Sequence, residues 1–512
     1  MAEALPRAML PGKRLMPPSI LPTNATSAAE NSLGRPNFVA LAGQDSSERQ
    51  EMVATILGKI DQEKLEIIRV AFVDTHGIVR VRPIEARLFS QAARNGVAFT
   101  TALFAMDSAN SIFQNVFAHD GGFGRDTMGG GGDMLAMPDL ATFRVLPWAH
   151  KCAWVLSDLY LKSGERCPFD PRLIMQTACN RLAKQGLTYV VGLEIECHIL
   201  KVADPQNSLS DCTQPPTAPI VEAFRHGYQY MSENTLDHLE PVITPIRHAL
   251  IGVGLPLRII EAEWGPGQIE ISLDPLENMA AADAVILLRG TVKQVCRRMG
   301  LLASFMAKPA LPNVYSCGWH LHQSLFHTAS GRNAFAADGA LMSDTGLHFI
   351  GGLLEHAQAT TAFSNPTING YKRLNANPLA PNRVAWAHDN KGAMCRLVGG
   401  MGDAATHIEN RSGEPAANPY LYMGTQIIAG LDGIENRIDP GEPASDPYAQ
   451  TEKPPMPSSL NEAVDALSAS TMFREALGNE FIDHYVSVRR HEIGRFHSHV
   501  TDWEHREYFE AF

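Results

Sequence analysis

Four segments apolar enough to be interior strands carry acids or imidazoles at every second position, and no other feature constrains the fold as much. Side chains at i and i+2 share a strand face. Over residues 190–200, Val191, Leu193, Ile195, Cys197 and Ile199 fall on one face, and Glu194, Glu196 and His198 on the other. Glu261 and Glu263 share a face before a Gly-Pro-Gly turn, and Gln268, Glu270 and Ser272 share one after it. His320, His322 and Ser324 align in a third segment, His407, Glu409 and Arg411 in a fourth. Carboxylates that face one another away from water need protons, cationic partners or metal ions. An oxygen-rich donor set with one or two imidazoles suits Mg²⁺ or Mn²⁺ better than Zn²⁺. One such strand reads equally well as a solvated face; four in one domain point to a divalent-metal site.

Around these strands the chain reads as α+β. Residues 1–44, rich in Pro, Ala, Ser and Asn without periodicity, are expected to be a disordered tail. A helix is expected from Asp45-Ser-Ser-Glu48 to about residue 62, with Met52, Ile56 and Ile60 on its apolar face. Strands over 67–73 and 78–81 flank the turn residues Asp74 and Gly77. From about residue 153 strands alternate with longer helices, the first opening at Asp170-Pro171 with Leu173, Met175, Ala178 and Leu182 apolar. The expected division is therefore an N-terminal domain over 45–152 and a catalytic domain over 153–512. The Gly-rich stretch 121–133 lacks the Lys-Ser/Thr of a phosphate-binding loop and reads as a surface loop. A net charge of −12 argues against nucleic acid. No apolar run reaches the roughly 20 residues of a membrane span, and the eight cysteines show no C-x-x-C pair. A cytoplasmic location is expected. Lys372, Arg373, Arg383, Lys391, Arg396 and Arg411 add cations near the acidic strands, a combination suited to phosphoryl transfer.

From about residue 50 onward the chain resembles the glutamine synthetase family. The motifs are Gly192-Leu-Glu-Ile-Glu196, Glu263-Trp-Gly-Pro-Gly-Gln-Ile-Glu270, Gly318-Trp-His-Leu-His-Gln-Ser324, Asn369-Gly-Tyr-Lys-Arg-Leu374 with Ala380-Pro381, and Glu409-Asn-Arg411 followed by Ala417-Asn-Pro-Tyr-Leu421. The resemblance implies a small β-grasp-like domain on a larger domain whose curved sheet forms a funnel. It implies two stacked hexameric rings, a homododecamer in which the neighbouring N-terminal domain completes each site. Two to three Mg²⁺ or Mn²⁺ ions would be held, one by Glu196, Glu263 and Glu270 and another by Glu194, His320 and Glu409. Arg373 and Arg411 would bind glutamate, and His322, Ser324, Lys391 and Arg396 would line the ATP path. The implied reaction phosphorylates the γ-carboxylate of glutamate, after which an amine displaces phosphate.

Departures from the family pattern concern the amine. Ammonia-using members carry a flap glutamate before Ala380-Pro381, where this chain has Leu379, and an Asp-Gly-Ser-Ser latch where Phe99 is followed by Thr100-Thr-Ala-Leu103. Asp133 alone matches the remaining ammonium-site carboxylate. Ammonium is a cation at neutral pH, so an apolar pocket of Phe99, Thr100, Leu103 and Leu379 disfavours it. The expected product is a γ-glutamyl amide of an aromatic, aniline-like amine, as in γ-glutamylanilide synthetases. Alternatives are an alkylamine or polyamine ligase, glutamine synthetase proper, a metallohydrolase built on the His-x-His strand, and a non-catalytic assembly protein. His407 and Lys391 replace Arg and Asn-Arg of the family, altering phosphate contacts.

Overall fold

A computed structural model describes residues 37–376, 379–449 and 451–512. Most of the expected tail, residues 1–36, lies outside them. Phe38–Leu41 is a short helix whose Val39 packs on Met137 and Tyr160, so order begins before residue 45.

The N-terminal sheet comprises β1 (Ile67–Val73), β2 (Val79–Glu85), β3 (Val97–Thr100), β4 (Asp133–Pro138), β5 (Arg144–Val145) and β6 (Cys152–Leu161), in the order β2-β1-β6-β4-β3 with β5 on β6. Ser46 caps the helix Ser47–Gln62 by accepting from the Arg49 N–H. Asp74 builds the β1–β2 turn: its Oδ1 accepts from the backbone of His76 and Ile78, and its Oδ2 from Arg80. β2 runs past the expected end at residue 81 because it is an edge strand, where Pro83 costs no ladder bond. The Gly-rich stretch forms turns and a 3-10 segment, Asp126–Gly131, with Met128 buried beneath it.

The boundary expected at 152/153 falls at the first residue of β6, which belongs to the N-terminal sheet through Leu161. Its apolar run resembles a strand opening the next domain because it is buried on both faces. Ala153 and Val155 point into the N-terminal core with Val70 and Phe72, whereas Trp154 and Leu156 join Ala71 and Val73 in the core of the larger part.

The second sheet has nine strands: β7 (Leu187–Asp204), β8 (Ile220–Ala223), β9 (Leu257–Ala262), β10 (Gln268–Glu277), β11 (Leu301–Ser304), β12 (Trp319–His327), β13 (Trp386–His388), β14 (Cys395–Val398) and β15 (His407–Gly413). Their order is β13-β14-β15-β12-β7-β10-β9, with β8 and β11 also on β7. Every pairing except β13–β14 is antiparallel, which fits α+β. Val191, Leu193, Ile195, Cys197 and Ile199 of β7 are fully buried under the helices Pro171–Lys184 and Asn278–Arg298. In the first of these Ile174, not Leu173, completes the buried stripe with Met175, Ala178 and Leu182.

Candidate active site

The opposite face of this sheet is concave. Residues from β7, β9, β10, β12, β14 and β15 line a cavity of about 1150 Å³. Strand register sets their neighbours: Glu270 of β10 lies opposite Glu196 of β7, and Ser272 opposite Glu194. His320 lies opposite Glu194, His322 opposite Glu409, and Arg396 opposite Glu409. The period-2 alternation of four separate segments thus becomes one polar wall.

Two groups in this wall have ligand atoms within 4.8 Å of one another: Glu194, Glu270 and His320, and Glu194, His322 and Glu409. Glu194 accepts from His320 Nδ1 and, at 3.1 Å, from His322 Nε2. Burial opposes its ionisation, but these two hydrogen bonds prevail and hold it below the usual carboxylate range. Glu409 is also buried, and the charges of His320, Arg411 and His322 keep it low in the same way. It is bound by Arg411 Nη1 and, at 3.1 Å, by Arg396 Nη1. Glu270 differs. Burial, reinforced by Glu194, Glu196, Glu263 and Glu261, pushes it up to about 10. Burial likewise raises Glu263 to about 7, against a hydrogen bond from the Trp264 backbone. Carboxylates crowded until they hold protons, beside imidazoles at ligand distance, fit a divalent cation that would displace those protons. The expected trio Glu196, Glu263 and Glu270 shares the wall but is not one of the converged groups; Glu194 instead bridges both.

Arg373 is buried at the cavity floor, donating from Nη1 to Ser412 O and from Nη2 to Arg411 O, both at 3.1 Å. Gly318 makes room for it, since a Cβ there would lie 2.5 Å from Arg373 Nη2. Ser324, Lys391, Arg396 and His407 line the cavity, and His322 Nδ1 lies 3.0 Å from His407 Nε2.

Leu379 lines the cavity and is 59% exposed, but the other residues expected at the amine pocket are elsewhere in this chain. Phe99 is in the N-terminal core, edge-on to Phe72 at 4.8 Å, because strand alternation turns it inward. Thr100 donates to Gly131 O and caps the following turn, and Leu103 packs on the same core. Asp133 is exposed and paired with Lys162 at 3.4 Å. None of the four lines the cavity. The sequence reading also missed an aromatic rim: Tyr230 and Tyr315 line the cavity, and Trp264 lies 6.4 Å from both Tyr228 and Tyr230. The loop carrying Tyr228 and Tyr230 has no periodicity that would have drawn attention to it; Trp264, beside Glu263, was the available signal.

The profile of the glutamine synthetase catalytic domain matches residues 168–508. The chain is 39% identical to "Gamma-glutamylanilide synthase" of Acinetobacter sp, over 92% of this chain and 98% of that protein. It is 32% identical to "Glutamine synthetase" of Methanosarcina mazei, over 88% and 96%. Among solved structures, "GmaS/ADP complex-Conformation 1" superposes with a TM-score of 0.75 at 28% identity, covering 89% of this chain and 99% of that one.

Proposed function

Because the chain belongs to the glutamine synthetase family, we propose that it is an ATP-dependent ligase joining the γ-carboxylate of glutamate to an aromatic, aniline-like amine. One observation carries the choice of amine. Leu379, with its side chain largely exposed, lines the cavity at the position where ammonia-using members place a carboxylate. Tyr230 and Tyr315, which line the cavity, add an aromatic surface of the kind that packs an arene, with Trp264 6.4 Å from Tyr230. An arylamine is neutral at pH 7 and needs no anionic cage. The 39% identity to a γ-glutamylanilide synthase supports the same substrate class.

In this reading Arg373 and Arg411 hold glutamate at the floor, while His322, Ser324, Lys391 and Arg396 line the triphosphate path. Glu194, Glu196, Glu263, Glu270, His320 and Glu409 would hold Mg²⁺ or Mn²⁺. Such ions, when bound, offset the repulsion between γ-carboxylate and triphosphate and stabilise charge on the transferring phosphoryl group. The wall positions the γ-carboxylate for phosphorylation, and the amine then displaces phosphate from γ-glutamyl phosphate. Thr100, Leu103 and Asp133 lie off the chain's own cavity and would serve an amine site only across a subunit boundary, as in an assembly of two stacked hexameric rings; Phe99 serves the core.

Two measurements test this reading. ADP release should require glutamate and amine together, and amide formation without ADP release would overturn the ligase. Leu379→Glu should raise kcat/KM for ammonium relative to aniline by about tenfold, the scale of one well-placed interaction; an unchanged ratio would remove the role of Leu379 in amine choice.

A further inference from the structure

At one end of the acidic wall, on the same sheet face, lies a buried polar chain that leads from an imidazole to Glu196. His198 and Cys317 are fully buried, with Sγ 3.3 Å from His198 Nδ1. The imidazole also hydrogen-bonds the Tyr315 backbone. Gln268, almost fully buried, points its Nε2 at three acceptors: Glu196 Oε2 at 2.8 Å, Ser316 O at 3.1 Å and Cys317 Sγ at 3.5 Å. Its Oε1 accepts from Gly265 N at 3.0 Å, which fixes which end of the amide faces Glu196. The Gly318 N–H supplies a second donor to Glu196 Oε2, at 3.0 Å. Among the described residues nothing donates to Glu196 Oε1. The strands explain the assembly: Gln268 is the register partner of His198 across β10 and β7, two residues from the Glu270–Glu196 pair. Cys317 is anchored by its N–H to Ala307 O just before β12 begins.

We propose that His198, Cys317 and Gln268 form a positioning clamp that holds the carboxylate of Glu196 with Oε1 turned toward the cation site. The thiol donates to the imidazole, which leaves its sulfur lone pairs to accept from Gln268. Gln268 is thereby held between sulfur and carboxylate and cannot rotate without leaving a buried group unpaired. His198 and Cys317 are positioning residues, since neither reaches the cavity. The clamp rests on the assignment of Glu196 as a cation ligand, and partners behind a ligand commonly change metal affinity by about 10–100-fold.

The test is Mn²⁺ titration of the full chain, without nucleotide or glutamate, followed by the electron paramagnetic resonance signal of the unbound ion. Cys317→Ala and His198→Phe are each expected to weaken Mn²⁺ binding about tenfold, while Cys317→Ser, which can still donate and accept, stays within about threefold of the unmodified chain. Thermal unfolding of each variant separates this from a packing defect. Unchanged Mn²⁺ affinity in both variants, with or without a lower Tm, would overturn the clamp while leaving Glu196 as a ligand. Equal weakening in Cys317→Ser and Cys317→Ala would also overturn it, because the hydrogen bonds would then not be the cause. Absence of Mn²⁺ binding by the unmodified chain would instead remove the cation site itself, and the clamp with it.

Discussion

At Glu263 and Glu270 the chain holds protons that a metal ion would expel. Both carboxyls lie above the ordinary range, about 7 and about 10, burial being the first cause and neighbouring glutamates the second. A carboxyl raised on folding adds stability at low pH that is lost as pH climbs through its folded value. The metal-free chain should therefore lose Tm from about pH 5 upward, through about 7 for Glu263 and to about 10 for Glu270, and the gain in Tm from Mg²⁺ or Mn²⁺ should grow over the same interval. Calorimetric titration of Mn²⁺ at pH 7.5 in buffers of different ionisation enthalpy should report release of about one proton or more. Glu270→Gln should remove most of that release and lower glutamate-dependent phosphate release at least about 100-fold. Proton release that persists in the variant would contradict the role given to Glu270. These residues were legible in the sequence because strand alternation is strict: acids and imidazoles out of place on four apolar segments can be counted without a structure. Which acids pair with which was not legible, since it depends on register. The bridging position of Glu194 came only from the β7–β12 alignment of His320.

At the level of the element, β12 and the bend before it show how one glycine adjusts a site. Gly318 lets the Arg373 guanidinium cross directly over the backbone, and it also supplies the N–H that holds Glu196. Gly318→Ala would push Arg373 off the Ser412 and Arg411 carbonyls, because a Cβ would lie 2.5 Å from a guanidinium that is almost fully buried. The expected result is a KM for glutamate raised about tenfold, at a cost of about 1–3 kcal/mol in overpacking. A lower Tm with KM unchanged would place Arg373 away from the substrate. Element types were legible from periodicity, but two boundaries were not. β2 continues through Pro83 because it sits at a sheet edge, and β6 pairs within the N-terminal sheet although a strand buried on both faces has no alternation to mark which sheet it joins.

For the whole molecule, the N-terminal sheet and the cavity sheet share one continuous packing surface through β1 and β6, yet the residues expected at the amine pocket are divided between them. Phe99 makes this separation testable. Its ring fills the N-terminal core against Phe72, so Phe99→Ala should cost about 3 kcal/mol, read as a lowered Tm, and leave the ratio of amine specificities unchanged. A changed ratio with unchanged stability would return Phe99 to the pocket. The motif order and the acidic face of the large sheet were legible because they rest on local alternation and on spacing. The aromatic lining was not, because Tyr230 and Tyr315 come from separate segments that only the tertiary fold brings to one cavity. Leu379 lines the cavity, and the proposed choice of amine rests on it. The decisive measurement is kcat/KM for phosphate release with Mg-ATP and glutamate, compared across ammonium, isopropylamine and aniline with the γ-glutamyl product identified by mass. Aniline should give the highest value; a higher value for ammonium would contradict the apolar amine site.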